Sequence, residues 1–162
     1  MFDPKTGKFT PTGSMAVGRA EHTATLLADG RVLITGGFSG DLLTTPLVDL
    51  GMCEIYDPAT GKFTVTGSMS EGRSQHTATL LQDGRVLVAG GGAHVPAGGD
   101  GLTLSGGNTA ELYDPTTGVF TPTGLMVEGR DIAAAVLLQD GRVLVAGGIS
   151  NPLDETAELY VP

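Results

Sequence analysis

The chain has 162 residues, of which 40% are hydrophobic and 17% charged, and its mean hydropathy is +0.13. Its 26 glycines make up about 16% of the sequence, against a usual ~7%. The apolar content excludes a disordered chain, and the lack of a three-residue glycine period excludes a collagen-like helix. We therefore expect one turn-rich β domain over residues 1–162.

The charge and the apolar pattern restrict the partners. Eighteen acidic against nine basic side chains give a net charge of −9, which repels nucleic acid phosphates and anionic lipid surfaces. No apolar run approaches the ~20 residues that span a bilayer, and the first residues lack the apolar core of a secretory signal. We expect a cytoplasmic protein that binds neither nucleic acid nor membrane. The single cysteine, Cys53, predicts no internal disulfide.

The sequence repeats itself. The opening stretch FDPKTGKFTPTGSMAVGRAEHTATLLADGRVLITGG returns twice with few changes, beginning at Tyr56 and at Tyr113. A Gly-Arg-Val-Leu stretch recurs at intervals of 54 and 57 residues, at Gly30, Gly84 and Gly141. Periods of this size are typical of propellers and other repeat folds, with about 50 residues for a kelch blade.

Each copy predicts four strands, here called a to d. Strand a is HTATLL, and the Asp-Gly pair after it predicts a type I′ hairpin turn into strand b, RVLITGG or RVLVAGG. Strand c ends at Tyr-Asp-Pro, and D-P-x-T-G turns into strand d, KFTPTG or KFTVTG. Strand b is apolar on both faces, which is expected of a strand packed between two neighbouring sheets.

On these motifs the chain resembles a run of kelch repeats, of the bacterial type also found in galactose-oxidase-like β-propellers. The resemblance is carried by the paired glycines after strand b, the Tyr before Asp-Pro, and the G-R-x-x-H stretches that end at His22 and His76. Phe replaces the kelch Trp of the outer strand, and Ala133 replaces His in the third copy. The resemblance implies an all-β, kelch-type β-propeller built from four-stranded blades.

The strand count predicts an oligomer. The strands run d (2–13), abcd (20–67), abcd (74–124) and abc (131–162), which makes three blades with one split between the termini. Because propellers close with roughly four to eight blades, three blades leave apolar faces exposed. We predict a homodimer in which a head-to-tail pair closes a six-bladed ring and exchanges the terminal strand d. A fragment of a longer propeller and an engineered half-propeller are alternatives.

Two groups of residues are candidates for ligand binding on one face of the ring. The b–c loops have 16, 19 and 9 residues in a constant frame, and they contain His94 and Asp100. Such loops are either tolerated insertions or ligand contacts. The d–a connections supply Arg19, Arg73 and Arg130 and, two residues later, Glu21, Gln75 and Ile132. The arginines either form an anion seat or donate hydrogen bonds to loop carbonyls. We assign His22 and His76 a packing role.

No enzyme motif stands out, because G-x-S-x-G, H-E-x-x-H and the phosphate-binding P-loop are all missing. The tyrosines at 56, 113 and 160 occupy one repeat position, which leaves no ligands for a galactose-oxidase-like copper site. The sequence therefore predicts a scaffold or interaction module that self-assembles and is not an enzyme, with no metal or cofactor. Since kelch relatives often bind acidic peptides or sugars on this face, the alternative is a lectin-like module for a carbohydrate or an acidic peptide.

Overall fold

The computed structural model describes residues 1–41, 45–92, 94–96, 102–104, 107–149 and 155–162. These residues form the strands β1 (Phe2–Asp3), β2 (Lys8–Phe9), β3 (Thr23–Leu26), β4 (Val32–Thr35), β5 (Phe38–Asp41), β6 (Thr45–Asp49), β7 (Met52–Asp57), β8 (Lys62–Ser68), β9 (Thr77–Leu80), β10 (Val86–Ala89), β11 (His94–Pro96), β12 (Leu102–Leu104), β13 (Ala110–Asp114), β14 (Val119–Pro122), β15 (Ala134–Leu137), β16 (Val143–Ala146) and β17 (Ala157–Tyr160). No helix within these ranges is long and apolar enough to cross a membrane.

Three antiparallel sheets follow the three sequence copies. Sheet 1 has the order β3-β4-β7-β8, and sheet 2 has the order β9-β10-β13-β14. Sheet 3 has the order β15-β16-β17 within the described residues. The spatial order equals the chain order a to d that the repeats predict. The hairpins β5-β6 and β11-β12 lie in the first two b–c loops.

The turn between strands a and b differs from the sequence prediction. Gly30 has a φ of 87°, but Asp29 before it has no positive φ, so the turn is not of type I′. Instead, Leu27 N donates to Arg31 O at 2.8 Å and Gly30 N donates to Leu27 O at 3.0 Å. This is a three-residue loop with glycine in the left-handed position. The Asp29 carboxylate accepts a hydrogen bond from Arg31 N at 3.0 Å, and this exposed side-chain contact stabilises the turn.

The N-terminal region also differs from the prediction of a single strand d over 2–13. It forms a two-stranded hairpin, in which Phe2 pairs with Phe9 and their ring centroids lie 5.0 Å apart. The same pairing joins Tyr56 and Phe63 at 4.8 Å in sheet 1. Residues 2–4 therefore repeat the end of a strand c, and β2 repeats the start of a strand d.

The hydrophobic core lies between the sheets. Leu33 and Ile55 of sheet 1 pack against Val86 and Tyr113 of sheet 2. On the other side of sheet 2, Leu87, Leu112 and their neighbours pack against the third sheet's Val143 and Val145. All four residues of β10 are at most 4% exposed, which confirms that strand b packs on both faces.

Candidate functional site

The three arginines of the d–a connections have buried side chains, and each one contacts strands b and c of the sheet that it precedes. Arg73 is 3% exposed and donates from Nη1 to Gly90 O at 2.7 Å and to Thr109 O at 3.1 Å. Its Nη2 lies 3.3 Å from Oε1 of Glu111. Arg19 makes the equivalent contacts with Gly36 O, Met52 O and Glu54, and Arg130 makes them with Gly147 O, Thr156 O and Glu158.

These contacts favour the structural interpretation of the arginines over the anion seat. Each guanidinium joins the glycine end of strand b to the start of strand c, so its donors are directed into the sheet. Burial lowers the pKa of Arg73, and the Glu111 carboxylate beside it opposes that shift. Burial raises the pKa of Glu158, but hydrogen bonds from Arg130 and from backbone N–H groups outweigh it and hold that pKa below its usual value.

The residues two positions after these arginines form a backbone ladder across the sheets. Glu21, Gln75 and Ile132 have φ values of 55°, 57° and 54°, the left-handed region. Gln75 N donates to Glu21 O at 3.1 Å, and Ile132 N donates to Gln75 O at 2.9 Å. A left-handed conformation costs a residue other than glycine about 1–3 kcal/mol, and it is rarest for β-branched side chains. The fold therefore keeps three residues other than glycine in a strained backbone conformation at one repeat position.

An open, shallow cavity of about 380 Å³, here called the ladder cavity, lies beside this ladder. Its lining includes Glu21, Gln75 and Ile132, together with His22 and His76. The structure thus brings the predicted candidates Glu21 and Gln75 together at one cavity. A carboxylate, an amide and an imidazole next to an apolar side chain can hydrogen-bond a polar ligand and pack against its apolar face.

The two repeated histidines differ in their surroundings. His76 is 5% exposed, and its Nε2 lies 3.0 Å from Oγ1 of Thr23 and 2.9 Å from Oγ1 of Thr35, both in sheet 1. Burial, helped by Arg73, lowers the pKa of His76 to about 3, so the ring is neutral. His22 is half-buried, and burial followed by the charge of Arg19 lowers its pKa. His76 joins two sheets, in agreement with a packing role.

The candidates in the second b–c loop are described only in part. His94 lies in β11, where its backbone pairs with Leu104. Asp100 lies outside the described residues. A ligand-binding role for these two residues stays a prediction.

Sequence reasoning missed two features of this region. The glutamates that pair with the buried arginines occupy one repeat position, two residues before the repeated Tyr, and this regularity could have revealed them. The left-handed conformation had no comparable signal, because Glu, Gln and Ile share no preference for it.

No family model matches the chain. The chain is 32% identical over its 162 residues to spermatocyte protein spe-26 of Caenorhabditis elegans, and it spans 25% of that protein. A solved fungal alcohol oxidase of the AA5 family, in complex with copper, matches with a TM-score of 0.63 and 24% identity over 80% of this chain and 27% of that one. YjhT matches with a TM-score of 0.70 and 18% identity over 87% of this chain and 48% of that one.

These two structures are β-propellers of the galactose-oxidase and kelch-like type, so the described residues have an all-β fold of propeller type. The likeness to the copper alcohol oxidase contradicts the prediction that the chain is not an enzyme. The physical reason is that one fold carries catalytic and non-catalytic sites alike, so the lack of short motifs and of spare tyrosines does not exclude an enzyme. That prediction is wrong.

The copper of the oxidase can be tested against the donors present here. Copper sites use imidazole, thiolate and oxygen ligands. Across the described ranges, no three His, Cys, Asp or Glu side chains gather in a group that could hold a metal ion. Nε2 of His76 already lies against two threonine hydroxyls, and burial raises the pKa of Cys53 to about 11. The described residues do not fit a copper ion.

Proposed function

We propose that this chain is a self-assembling β-propeller module, in which two copies close a six-bladed ring and present the ladder cavity on one face. The observation that carries the proposal is a difference in burial at equivalent repeat positions. Apolar residues that are buried between sheets within the chain have more exposed equivalents on the outer sides of sheets 1 and 3.

The leading face is the side of sheet 1 that points away from sheet 2. Its register aligns Leu26, Val32, Tyr56 and Phe63 across the four strands. The same positions in sheet 2 pack against sheet 1, and they are Leu80, Val86, Tyr113 and Phe120. Val32 and Tyr56 are only half-buried, whereas their equivalents Val86 and Tyr113 are 0% and 1% exposed. Leu26 is 63% exposed, whereas its equivalent Leu80 is half-buried. The leading face therefore has the same apolar residues as an interface between sheets, but no other described sheet of the chain packs on it.

The trailing face is the opposite side of sheet 3, where the register aligns Val136, Leu144 and Leu159. Val136 is 52% exposed and Leu159 is 45% exposed. Leu112, the equivalent of Leu159 in sheet 2, is 7% exposed, and Leu87, the equivalent of the half-buried Leu144, is 2% exposed. An exposed apolar face of this kind marks an interaction surface.

The two faces are complementary, because each internal interface of the chain joins the trailing face of one sheet to the leading face of the next. A second copy supplies the trailing face that fits the leading face of the first. Under two-fold symmetry both junctions form at once, so the ring closes. Further blades of a longer chain are the competing occupants of these faces.

The mass in solution tests this proposal. Light scattering over a dilution series should give about twice 16.5 kDa. Val136→Asp, on the trailing face, should reduce the mass to that of one chain. The matched control is Val48→Asp, because Val48 is 58% exposed in the hairpin β5-β6 and should leave the dimer intact. A wild-type mass of 16.5 kDa at every concentration contradicts the proposal.

A second candidate function is carbohydrate binding at the ladder cavity. The retention of strained Glu21 and Gln75 beside a cavity of about 380 Å³ favours it, since strain of this kind clusters at ligand sites. A neutral sugar fits better than an acidic peptide, because Glu21 repels a second carboxylate and the nearby arginines are buried. Titration calorimetry with neutral oligosaccharides should show binding that Gln75→Ala weakens and that Val48→Asp leaves unchanged. Binding that Gln75→Ala leaves intact contradicts this candidate.

A further inference from the structure

Sheets 1 and 2 end in an outer strand whose phenylalanine packs on the tyrosine of strand c. The ring centroids of Tyr56 and Phe63 lie 4.8 Å apart, and those of Tyr113 and Phe120 lie 4.7 Å apart. In sheet 3, β17 pairs only with β16 in the part of the chain that the structure describes. A groove of about 320 Å³ lies beside Tyr160 and includes Met126 and Leu159 in its lining. Among the residues that the structure describes, sheet 3 therefore has a site for an outer strand and no strand that fills it.

The strand that fits this site is β2. Phe9 is 81% exposed, although its equivalents Phe63 and Phe120 are partly buried. The residues after β2 are held against sheet 1 as outer strands are held elsewhere. Thr12 Oγ1 lies 2.8 Å from Tyr56 Oη, and the equivalent Thr66 Oγ1 lies 2.7 Å from Tyr113 Oη.

The backbone repeats this arrangement. Gly13 N donates to Gly61 O at 2.9 Å, as Gly67 N donates to Gly118 O at 3.1 Å. β2 therefore occupies, relative to sheet 1, the position that the outer strand of sheet 1 occupies relative to sheet 2. It is placed as the outer strand of a sheet that would precede sheet 1 in the ring. In the ring proposed above, that preceding sheet is sheet 3 of the second copy.

We propose that β2 of each copy adds to the free edge of β17 in the other copy, and that β1 must leave β2 for this to happen. The register follows from sheet 2, where Tyr113 lies opposite Phe120 and Leu112 opposite Thr121. Phe9 would lie opposite Tyr160, and Thr10 opposite Leu159. This inference rests on the proposed ring, and it adds the strand that each partner contributes.

β1 competes for the same place. Phe2 pairs with Phe9, and Asp3 with Lys8, in the register that Tyr56 and Asp57 use in sheet 1. Phe2 and Asp3 therefore stand where Tyr160 and Val161 of the partner would stand. β1 pairs with β2 at two positions, and next to them Met1 and Thr10 exchange backbone hydrogen bonds. Since all these residues are exposed and the hairpin has only this short contact, the longer β17 can displace β1.

A disulfide formed between two copies tests the register. The background is Cys53→Ala, because sheet 2 already has alanine at that position, Ala110. One copy carries Leu159→Cys and the other carries Thr10→Cys. Directly opposed residues have Cβ atoms about 4.5–5.5 Å apart, close to the ~3.5–4.5 Å of a disulfide. Oxidation of the mixture should give a linked heterodimer on a non-reducing gel.

The matched control replaces Thr10→Cys by Lys5→Cys, in the turn of the same hairpin, and should give no link above background. One outcome separates the two proposals. If light scattering shows a dimer, but Leu159→Cys forms no disulfide with either the Thr10→Cys or the Lys5→Cys copy, or links to both equally, then strand addition is wrong and the ring stands. If the chain is monomeric, both proposals fail.

Removal of the competing strand gives an independent readout. A chain that lacks residues 1–3 keeps β2 but cannot form β1, so the dimer dissociation constant should fall by about tenfold. The control is Lys5→Ser, which keeps β1, the pairing backbone and the hydrogen bonds that the Asp3 carboxylate accepts in the turn, and it should leave the constant nearly unchanged. An unchanged or higher constant for the shortened chain shows that β1 and β17 do not compete.

Discussion

Nε2 of His76 in sheet 2 lies 2.9 Å from Oγ1 of Thr35 in sheet 1, so one imidazole joins two sheets. Because burial lowers its pKa to about 3, the folded protein does not take up the proton that an unfolded histidine takes up near pH 6.5. The stability that depends on the neutral ring is complete above pH 6.5 and is lost as the pH falls toward 3.

We predict that His76→Ala lowers the free energy of unfolding at pH 7 by about 1–3 kcal/mol, because two threonine hydroxyls lose their partner. Between pH 7 and pH 5 the wild type should lose about 2 kcal/mol more than the variant. Urea unfolding at both pH values measures this difference. An equal pH dependence of the two proteins argues against a buried neutral ring.

The buried pair of Arg73 and Glu111 should matter far more than an exposed pair of the same type. Arg73→Met leaves Glu111, 2% exposed, without its cation, and we expect a loss of about 3–5 kcal/mol. Arg85→Met is the control, since Arg85 and Asp83 pair at 2.6 Å on the surface, and it should change stability little. The double change Arg73→Met with Glu111→Leu should recover part of the loss. Similar losses for Arg73→Met and Arg85→Met contradict this assignment.

The strain at Ile132 predicts a stabilising substitution. Ile132 is 56% exposed with a φ of 54°, so its removal costs little burial and relieves the backbone. Ile132→Gly should be more stable than Ile132→Ala by about 1 kcal/mol, because only glycine adopts this conformation readily. Thermal or urea unfolding of the two variants provides the comparison. A more stable alanine variant would mean that the position is not strained.

The repeat pattern was enough to place strands a, b and c in each copy, because short apolar stretches bounded by turn signals leave little choice of where a strand lies. It did not specify the a–b turn. Asp-Gly fits both a two-residue and a three-residue loop, and the hydrogen bond from Leu27 N to Arg31 O selects the longer one.

The sequence was enough to predict which residues lie at the candidate site, but not which contacts they make. The variable residues Glu21 and Gln75 were identified from the repeat, but the arginines before them were assigned two alternative roles. Their burial depends on glutamates that follow 35 and 38 residues later in the chain, at Glu54 and Glu111. Such pairing is a property of the packed sheets, and the local sequence around each arginine does not reveal it.

The proposed junction between two copies leaves one interaction incomplete, and this can be repaired. Thr23 and Thr35, which contact His76, correspond to Ala134 and Ala146 in sheet 3. In the ring, His22 of the second copy would face these alanines. Ala134→Thr with Ala146→Thr should therefore lower the dimer dissociation constant by about tenfold, measured by sedimentation. The same pair of changes in a His22→Ala background should have no effect, and an equal gain there contradicts the geometry of the junction.

Removal of residues 1–10 should abolish the dimer, because it deletes β2 together with the competing β1. The edge of β17 would then lack its outer strand at both junctions, and the groove beside Tyr160 would stay exposed to water. Light scattering should show a mass near 16.5 kDa for the shortened chain and twice that for the wild type. Circular dichroism of the shortened chain controls for unfolding, since sheets 1 and 2 retain all their strands. A folded, shortened chain that still dimerises would show that face packing alone closes the ring and that strand addition plays no part in it.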